Sequence, residues 1–116
     1  VSVSLRAIYA QLSCSDVGSS VTWFSRVFAR APDAEPMPGL AEWHHGEQAG
    51  FQLHENPANA GSGVLTLVVA GLRDEHARLE DAGLSPGAIE EADDTWIARM
   101  KDPDGNLVVL AEPKQG

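Results

Sequence analysis

Residues 5–15 alternate in character. Ile8, Leu12 and Cys14 fall on one side of an extended chain and Tyr9, Gln11 and Ser13 on the other, which predicts a strand with one covered face. Past Asp16 the apolar spacing becomes helical, with Val17, Val21, Phe24, Val27 and Phe28 on one stripe. Asp16 is the expected N-cap, Arg26 and Arg30 form a basic last turn, and Pro32 is the expected stop. The Pro-rich stretch 32–39 reads as a connection, and 40–45 and 50–54 read as two short strands joined through Gly46, Glu47, Gln48 and Ala49.

Residues 56–63 (Asn-Pro-Ala-Asn-Ala-Gly-Ser-Gly) are small and polar throughout, a linker composition, and after them the pattern starts again. Residues 64–69 are strongly β-prone. Residues 72–82 carry Leu72, Glu75, His76 and Leu79 at helical intervals, with Gly83 placed for a left-handed C-terminal cap. An acidic, turn-rich stretch at 85–94 leads to a closing hairpin. Its arms place Trp96, Ala98 and Met100 on one face and Ile97, Arg99 and Lys101 on the other. Between the arms, Pro103 presets one φ and Gly105 can supply a positive one. Strand, helix, strands is thus written twice, over about 5–55 and 64–112, an internal repeat of roughly fifty residues. An α+β fold follows, with two half-units packed into one sheet-based domain spanning 1–116.

Composition narrows the function. With 116 residues, 43% of them hydrophobic and 22% charged, the chain has the length and apolar content of one globular domain, not of a disordered segment. No apolar run approaches about 20 residues, and no basic-then-apolar leader precedes Leu5. The expectation is therefore neither a membrane span nor a signal peptide, and a soluble, cytoplasmic protein. Cys14 is the single cysteine, so an internal disulfide is excluded and a buried, structural thiol is expected. The net charge of −9 disfavours a nucleic-acid backbone or an anionic membrane as partner and mildly favours a cationic one.

Three stretches carry a family resemblance: Asp16-Val17 followed by Ser20-Val-Thr-Trp-Phe24 and Val27-Phe28; Leu72-Arg-Asp-Glu-His-Ala-Arg-Leu-Glu-Asp-Ala-Gly83; and Lys101-Asp-Pro-Asp-Gly-Asn-Leu-Val-Val-Leu110. Together they resemble the glyoxalase, bleomycin-resistance and extradiol-dioxygenase superfamily, also called vicinal oxygen chelate proteins. The resemblance implies two βαβββ modules forming a concave mixed sheet whose hollow holds a ligand, often with the modules paired across a dimer. It also implies a divalent metal held by one side chain from each of four strands, and those positions fall at Tyr9, Gln52, Val64 and Val109. Two valines cannot donate to a metal. No metal and no other cofactor is therefore expected, and Lewis-acid isomerase or dioxygenase chemistry loses its ligand set.

Parity says what else would line the hollow. If Phe51, Leu53, Leu65, Leu67, Val69, Val108 and Leu110 pack against the helices, then Tyr9, Gln11, Gln52, His54, Thr66, Arg99 and Val109 face the cavity. Glu42 and His44 join this ligand-binding set if Ala41 and Trp43 are helix-side. Arg99 then needs a partner, either Glu42 or a bound carboxylate. Trp23 and Phe24 are expected in the core, and Trp96 also, unless it sits at an open rim. A flat, partly cationic natural product could stack on Tyr9 or a rim tryptophan while Gln11, Gln52 and Glu42 take its polar edge. The function expected is metal-independent binding of a small organic molecule, of the antibiotic-sequestering kind that the bleomycin-resistance branch exemplifies. Two alternatives stand beside it: a glyoxalase-type lyase or isomerase using a metal site shifted to His44 and His54, and an accessory protein with a vestigial cavity. The resemblance and the exposed edges of a small sheet together predict a homodimer.

Overall fold

The first helix starts where a side chain can satisfy its orphan amides. In the computed structural model, which describes residues 3–115, helix α1 (Val17–Phe28) begins at Asp16, whose carboxylate accepts from the Ser19 N–H at 3.3 Å and the Ser19 hydroxyl at 2.6 Å. The helix ends before Pro32. Ala29 takes a left-handed φ of 57° and donates its N–H to the Ser25 carbonyl, a closure usually given to glycine.

Around α1 the first module runs β1 (Ile8–Cys14), β2 (Ala34–Met37), β3 (Leu40–His45) and β4 (Ala49–Glu55), hydrogen-bonded in the order β1-β4-β3-β2. Strand β1 is parallel to β4 and the other pairs are antiparallel. The second module repeats this plan with β5 (Val64–Val68), α2 (Leu72–Asp81), β6 (Glu90–Glu91), β7 (Thr95–Lys101) and β8 (Leu107–Pro113), in the order β5-β8-β7-β6. The fold is therefore α+β, two βαβββ modules, each with its own four-stranded sheet, that approach each other through β1 and β5.

Two strands lie where the sequence reading has only loops. Strand β2 falls inside the Pro-rich connection, and its place at the sheet edge tolerates Pro36, which has no N–H to give a ladder. Strand β6 is two glutamates long and sits outermost in its own sheet, paired through Glu90 with Ile97 and Glu91 with Trp96. The small polar linker holds a single 3-10 turn at Pro57–Asn59.

The core lies between the sheets and their helices. Phe24, Leu53, Leu79, Ala98 and Val108 are fully buried, and Cys14 is buried as expected. Ile8 is not: α1 packs on β3 and β4, so the start of β1 is left uncovered and Ile8 is 65% exposed. Trp96 sits at a rim, partly exposed, with the Lys114 ammonium 4.9 Å from its ring centroid. No helix among the described residues is long and apolar enough to cross a membrane.

The turn Asp102 to Asn106 fastens one module to the other. Asn106, 1% exposed, accepts from the N–H groups of Gly61 (3.1 Å) and Gly63 (2.8 Å). Its amide nitrogen donates to the Ser13 carbonyl on β1 at 3.0 Å and to Asp102 at 2.8 Å. Asp104 adds bonds from the Ser15 N–H at 3.1 Å and the Ser15 hydroxyl. Gly63 packs closely at this junction, where a Cβ would lie 2.5 Å from Cδ2 of Leu12 and displace that buried side chain.

Each helix start is also held by the last strand of its own module. Glu55 accepts from the Val17 N–H at 3.1 Å, and Glu112 accepts from the N–H groups of Gly71 at 2.8 Å and Leu72 at 3.0 Å. Gly71 has no side chain with which to cap α2, so Glu112 supplies the carboxylate. Those two backbone bonds pull the Glu112 carboxyl below its usual range. The folded protein then keeps Glu112 ionised at pH values where the unfolded chain has begun to protonate, so stability is lost as pH falls through that window. In Glu112→Gln the loss of stability between about pH 7 and about pH 4 is expected to be shallower than in the parent chain, as read from urea midpoints at the two values.

Candidate functional site

Strand register sets up a polar row. Gln11 lies opposite Gln52 across β1 and β4, and Gln52 lies opposite Glu42 across β4 and β3, all on the face away from the core. Gln11 Nε2 donates to Gln52 Oε1 at 2.9 Å, Gln52 Nε2 donates to Glu42 Oε2 at 2.6 Å, and His44 Nε2 lies 3.0 Å from Glu42 Oε1. An ionised carboxylate only accepts, so the row has a direction. Gln52 must turn its NH2 to Glu42 and its oxygen to Gln11, and His44 must carry its proton on Nε2. The bond from His44, and after it that from Gln52, hold the Glu42 carboxyl below the usual glutamate range.

Tyr9 flanks the row because its strand neighbour is Gly50. A Cβ on Gly50 would lie 2.4 Å from Tyr9 Cε2, so the ring rests over the glycine in space that a side chain would fill. It meets the His44 ring edge-on at 6.1 Å between centroids and stays 41% exposed, an open aromatic surface beside a carboxylate.

The remaining residues of the expected set fall into other places. His54 is half-buried on the same face, opposite Leu40, whereas His44 is opposite Gly50. Four strand positions separate His54 from Gly50, about 13 Å at ~3.3 Å per residue, too far for the two imidazoles to share one ion. Among the described residues no group of three or more His, Cys, Asp or Glu converges as a metal cluster. Thr66, Val109 and Arg99 form a second row, side by side across β5, β8 and β7. Arg99 does not reach Glu42. It pairs with Glu90 on the adjacent β6, while Glu42 is already occupied by His44 and Gln52. The four positions of a family metal site, Tyr9, Gln52, Val64 and Val109, do not fit a divalent ion. Two carry no donor atom, and both polar atoms of Gln52 are engaged within the row.

Parity did not foresee a cleft of ≈ 750 Å³ between the modules, walled by Phe28, Trp43, Phe51, Leu65 and Leu67, among others, and reached by Arg30 and Arg78. The sequence reading closes the helix side of both sheets with α1 and α2, but the two helices leave a gap over β1 and β5. Arg78 spans it, donating to the carbonyls of Arg26 at 2.9 Å and Val27 at 2.6 Å at the end of α1. His44 from the first module and Thr66 from the second border this cleft, but it opens on the helix side of the sheets, opposite the face that carries the two polar rows. A signal for it in the sequence is Ala10, a small apolar position on a strand whose covering helix lies over β3 and β4.

Comparison with known proteins follows the same lines. A crystal structure of a glyoxalase/bleomycin resistance protein from Catenulispora acidiphila superposes with a TM-score of 0.86 at 24% identity, over 96% of this chain and 100% of that one. TnmS3, an antibiotic binding protein from a Streptomyces species, gives 0.83 at 20% identity, over 98% and 99%. A lactoylglutathione lyase from Agrobacterium tumefaciens gives 0.75 at 16% identity, over 90% and 91%. At these identities the likeness is one of fold. A search of curated proteins finds no match. The family model for the glyoxalase-like domain matches residues 9–111, nearly the whole of both modules, and the chain therefore belongs to that family, within the glyoxalase and bleomycin-resistance superfamily.

Proposed function

We propose that this chain binds a small organic molecule without a metal, as an antibiotic-sequestering protein working as a homodimer in the cytoplasm. The observation that carries the reading is the hydrogen-bonded row Gln11, Gln52, Glu42 and His44, which occupies one family ligand position and runs beside the Tyr9 ring at another. With its oxygen and nitrogen both tied into the row, Gln52 orients Gln11 and Glu42 and does not serve as a metal ligand. The likeness to an antibiotic binding protein supports the same direction at the level of fold. The glyoxalase-type alternative needs a shifted metal site at His44 and His54, which stand four strand positions apart across β3 and β4.

The dimer is part of the proposal. Strands β1 and β5, through which the modules approach each other, leave Ile8, Tyr9, Val64 and Val68 exposed. A symmetric copy would cover that apolar surface. Native mass spectrometry after exhaustive chelation, with a panel of cationic aromatic antibiotics, tests both points. The expected species is two chains carrying bound antibiotic and no metal. Antibiotic retained only when nickel, cobalt or zinc is restored, or a monomer persisting at micromolar concentration, would count against the reading.

A further inference from the structure

Glu42 is a nearly buried charge that lacks a permanent counter-ion. Its side chain is 13% exposed, and its partners are one imidazole and one amide. Arg30, Arg78 and Arg99 are committed elsewhere: Arg30 to Asp33 and to the His44 carbonyl, Arg78 to Glu75, and Arg99 to Glu90. The hydrogen bonds from His44 and Gln52 keep the carboxylate ionised, and each of its oxygens retains a second lone pair.

The neighbours of this carboxylate point outward. Gln11 spends its amide nitrogen on Gln52, and no donor among the described residues takes its oxygen. Tyr9, held over Gly50, offers an open ring beside the row, and ring faces attract cations. A carboxylate with two free lone pairs matches a planar group bearing two parallel N–H bonds, and the net charge of −9 draws such a group in.

Resting on the reading above, we propose that Glu42 and Tyr9 form a subsite for an N–H-bearing organic cation, an amidinium or guanidinium, attached to a flat aromatic body. The cation lies on the free lone pairs of Glu42 while His44 and Gln52 keep their bonds to it. The aromatic body lies against Tyr9, and no covalent step is involved.

Benzamidine, benzamide and benzoate share one ring and differ in charge. They can be titrated into the isotopically labelled full chain while the side-chain amide signals of Gln11 and Gln52 and the ring signals of Tyr9, the one tyrosine in the sequence, are followed. Benzamidine is expected to bind about tenfold more tightly than benzamide, and benzoate not at all. In Glu42→Gln that ratio should fall to about one, benzamidine losing more affinity than benzamide. In Gly50→Ala, which displaces the ring, both probes should weaken by the same factor with the ratio kept. The ratio in the parent chain decides the matter even if Glu42→Gln does not fold. Equal affinities for benzamidine and benzamide there would overturn this inference and leave small-molecule binding standing. If none of the three probes moves any of these signals, the inference and the reading it rests on fall together.

Discussion

Replacing Asn106 by alanine is expected to lower the stability of the chain by about 3 kcal/mol and its melting temperature by more than about 10 °C. The side chain is 1% exposed and makes four hydrogen bonds to groups in three different segments. Alanine leaves the Gly61 and Gly63 N–H groups, the Ser13 carbonyl and Asp102 in a space too enclosed for ready hydration. Each buried polar group left unpaired costs about 1–3 kcal/mol, offset where the vacated volume admits water. Asn106→Asp is a sharper version. It keeps the acceptor but loses both donors and sets a second carboxylate against Asp102, so it should be no more stable than the alanine variant. Urea midpoints at constant m decide both cases, and a change under about 1 kcal/mol for Asn106→Ala would mean that the junction is held by backbone contacts alone.

Phe24→Ala should cost about 4 kcal/mol, the range for emptying a fully enclosed aromatic site. Phe24 is 0% exposed and is ringed by Trp23 at 4.8 Å, Phe51 at 4.9 Å, Phe28 at 6.2 Å and Trp43 at 6.3 Å between centroids. Rings that support one another on several sides cannot collapse into the vacancy without losing their own contacts, so relaxation is limited. Phe24→Leu, which restores most of the volume, should cost about half as much. Since Trp23 and Trp43 border the void, native-state tryptophan emission should shift in the alanine variant. An unchanged spectrum together with a loss under about 2 kcal/mol would show that the cluster repacks.

The two modules were legible because their helices announce themselves. Asp16 and the apolar stripe behind it, and the Ala-Gly end of α2, are local signals that tertiary packing did not override. The closing hairpin was legible for the same reason, since Pro103 and Gly105 allow few other conformations. Strands β2 and β6 were not, because each is held by a neighbour and not by its own residues: Ala34 and Met37 pair with β3, and two glutamates pair with β7. Within the candidate site, face parity placed Gln11, Glu42, His44 and Gln52 together. It could not say that Glu42 would be taken by His44 and Gln52, leaving Arg99 to Glu90, because partner choice depends on which sheet each strand joins. The inter-module cleft was invisible for a related reason. A pattern of apolar positions shows which side of a strand wants cover, not how far the covering helix reaches.

The junction at Asn106 also sets an order of events in time. Ser13 and Asn106 lie 93 residues apart in sequence, so the bond between them can close only after the second module has been made as far as the turn. On a ribosome adding about 5–20 residues per second, the end of β1 waits roughly 5 to 20 s for the turn that will fasten it. The row from Gln11 through Gln52 and Glu42 to His44 has no such wait, because every member belongs to the first module. The polar face can therefore be assembled on the nascent chain while the second module is still unmade, and the clasp that unites the halves arrives last.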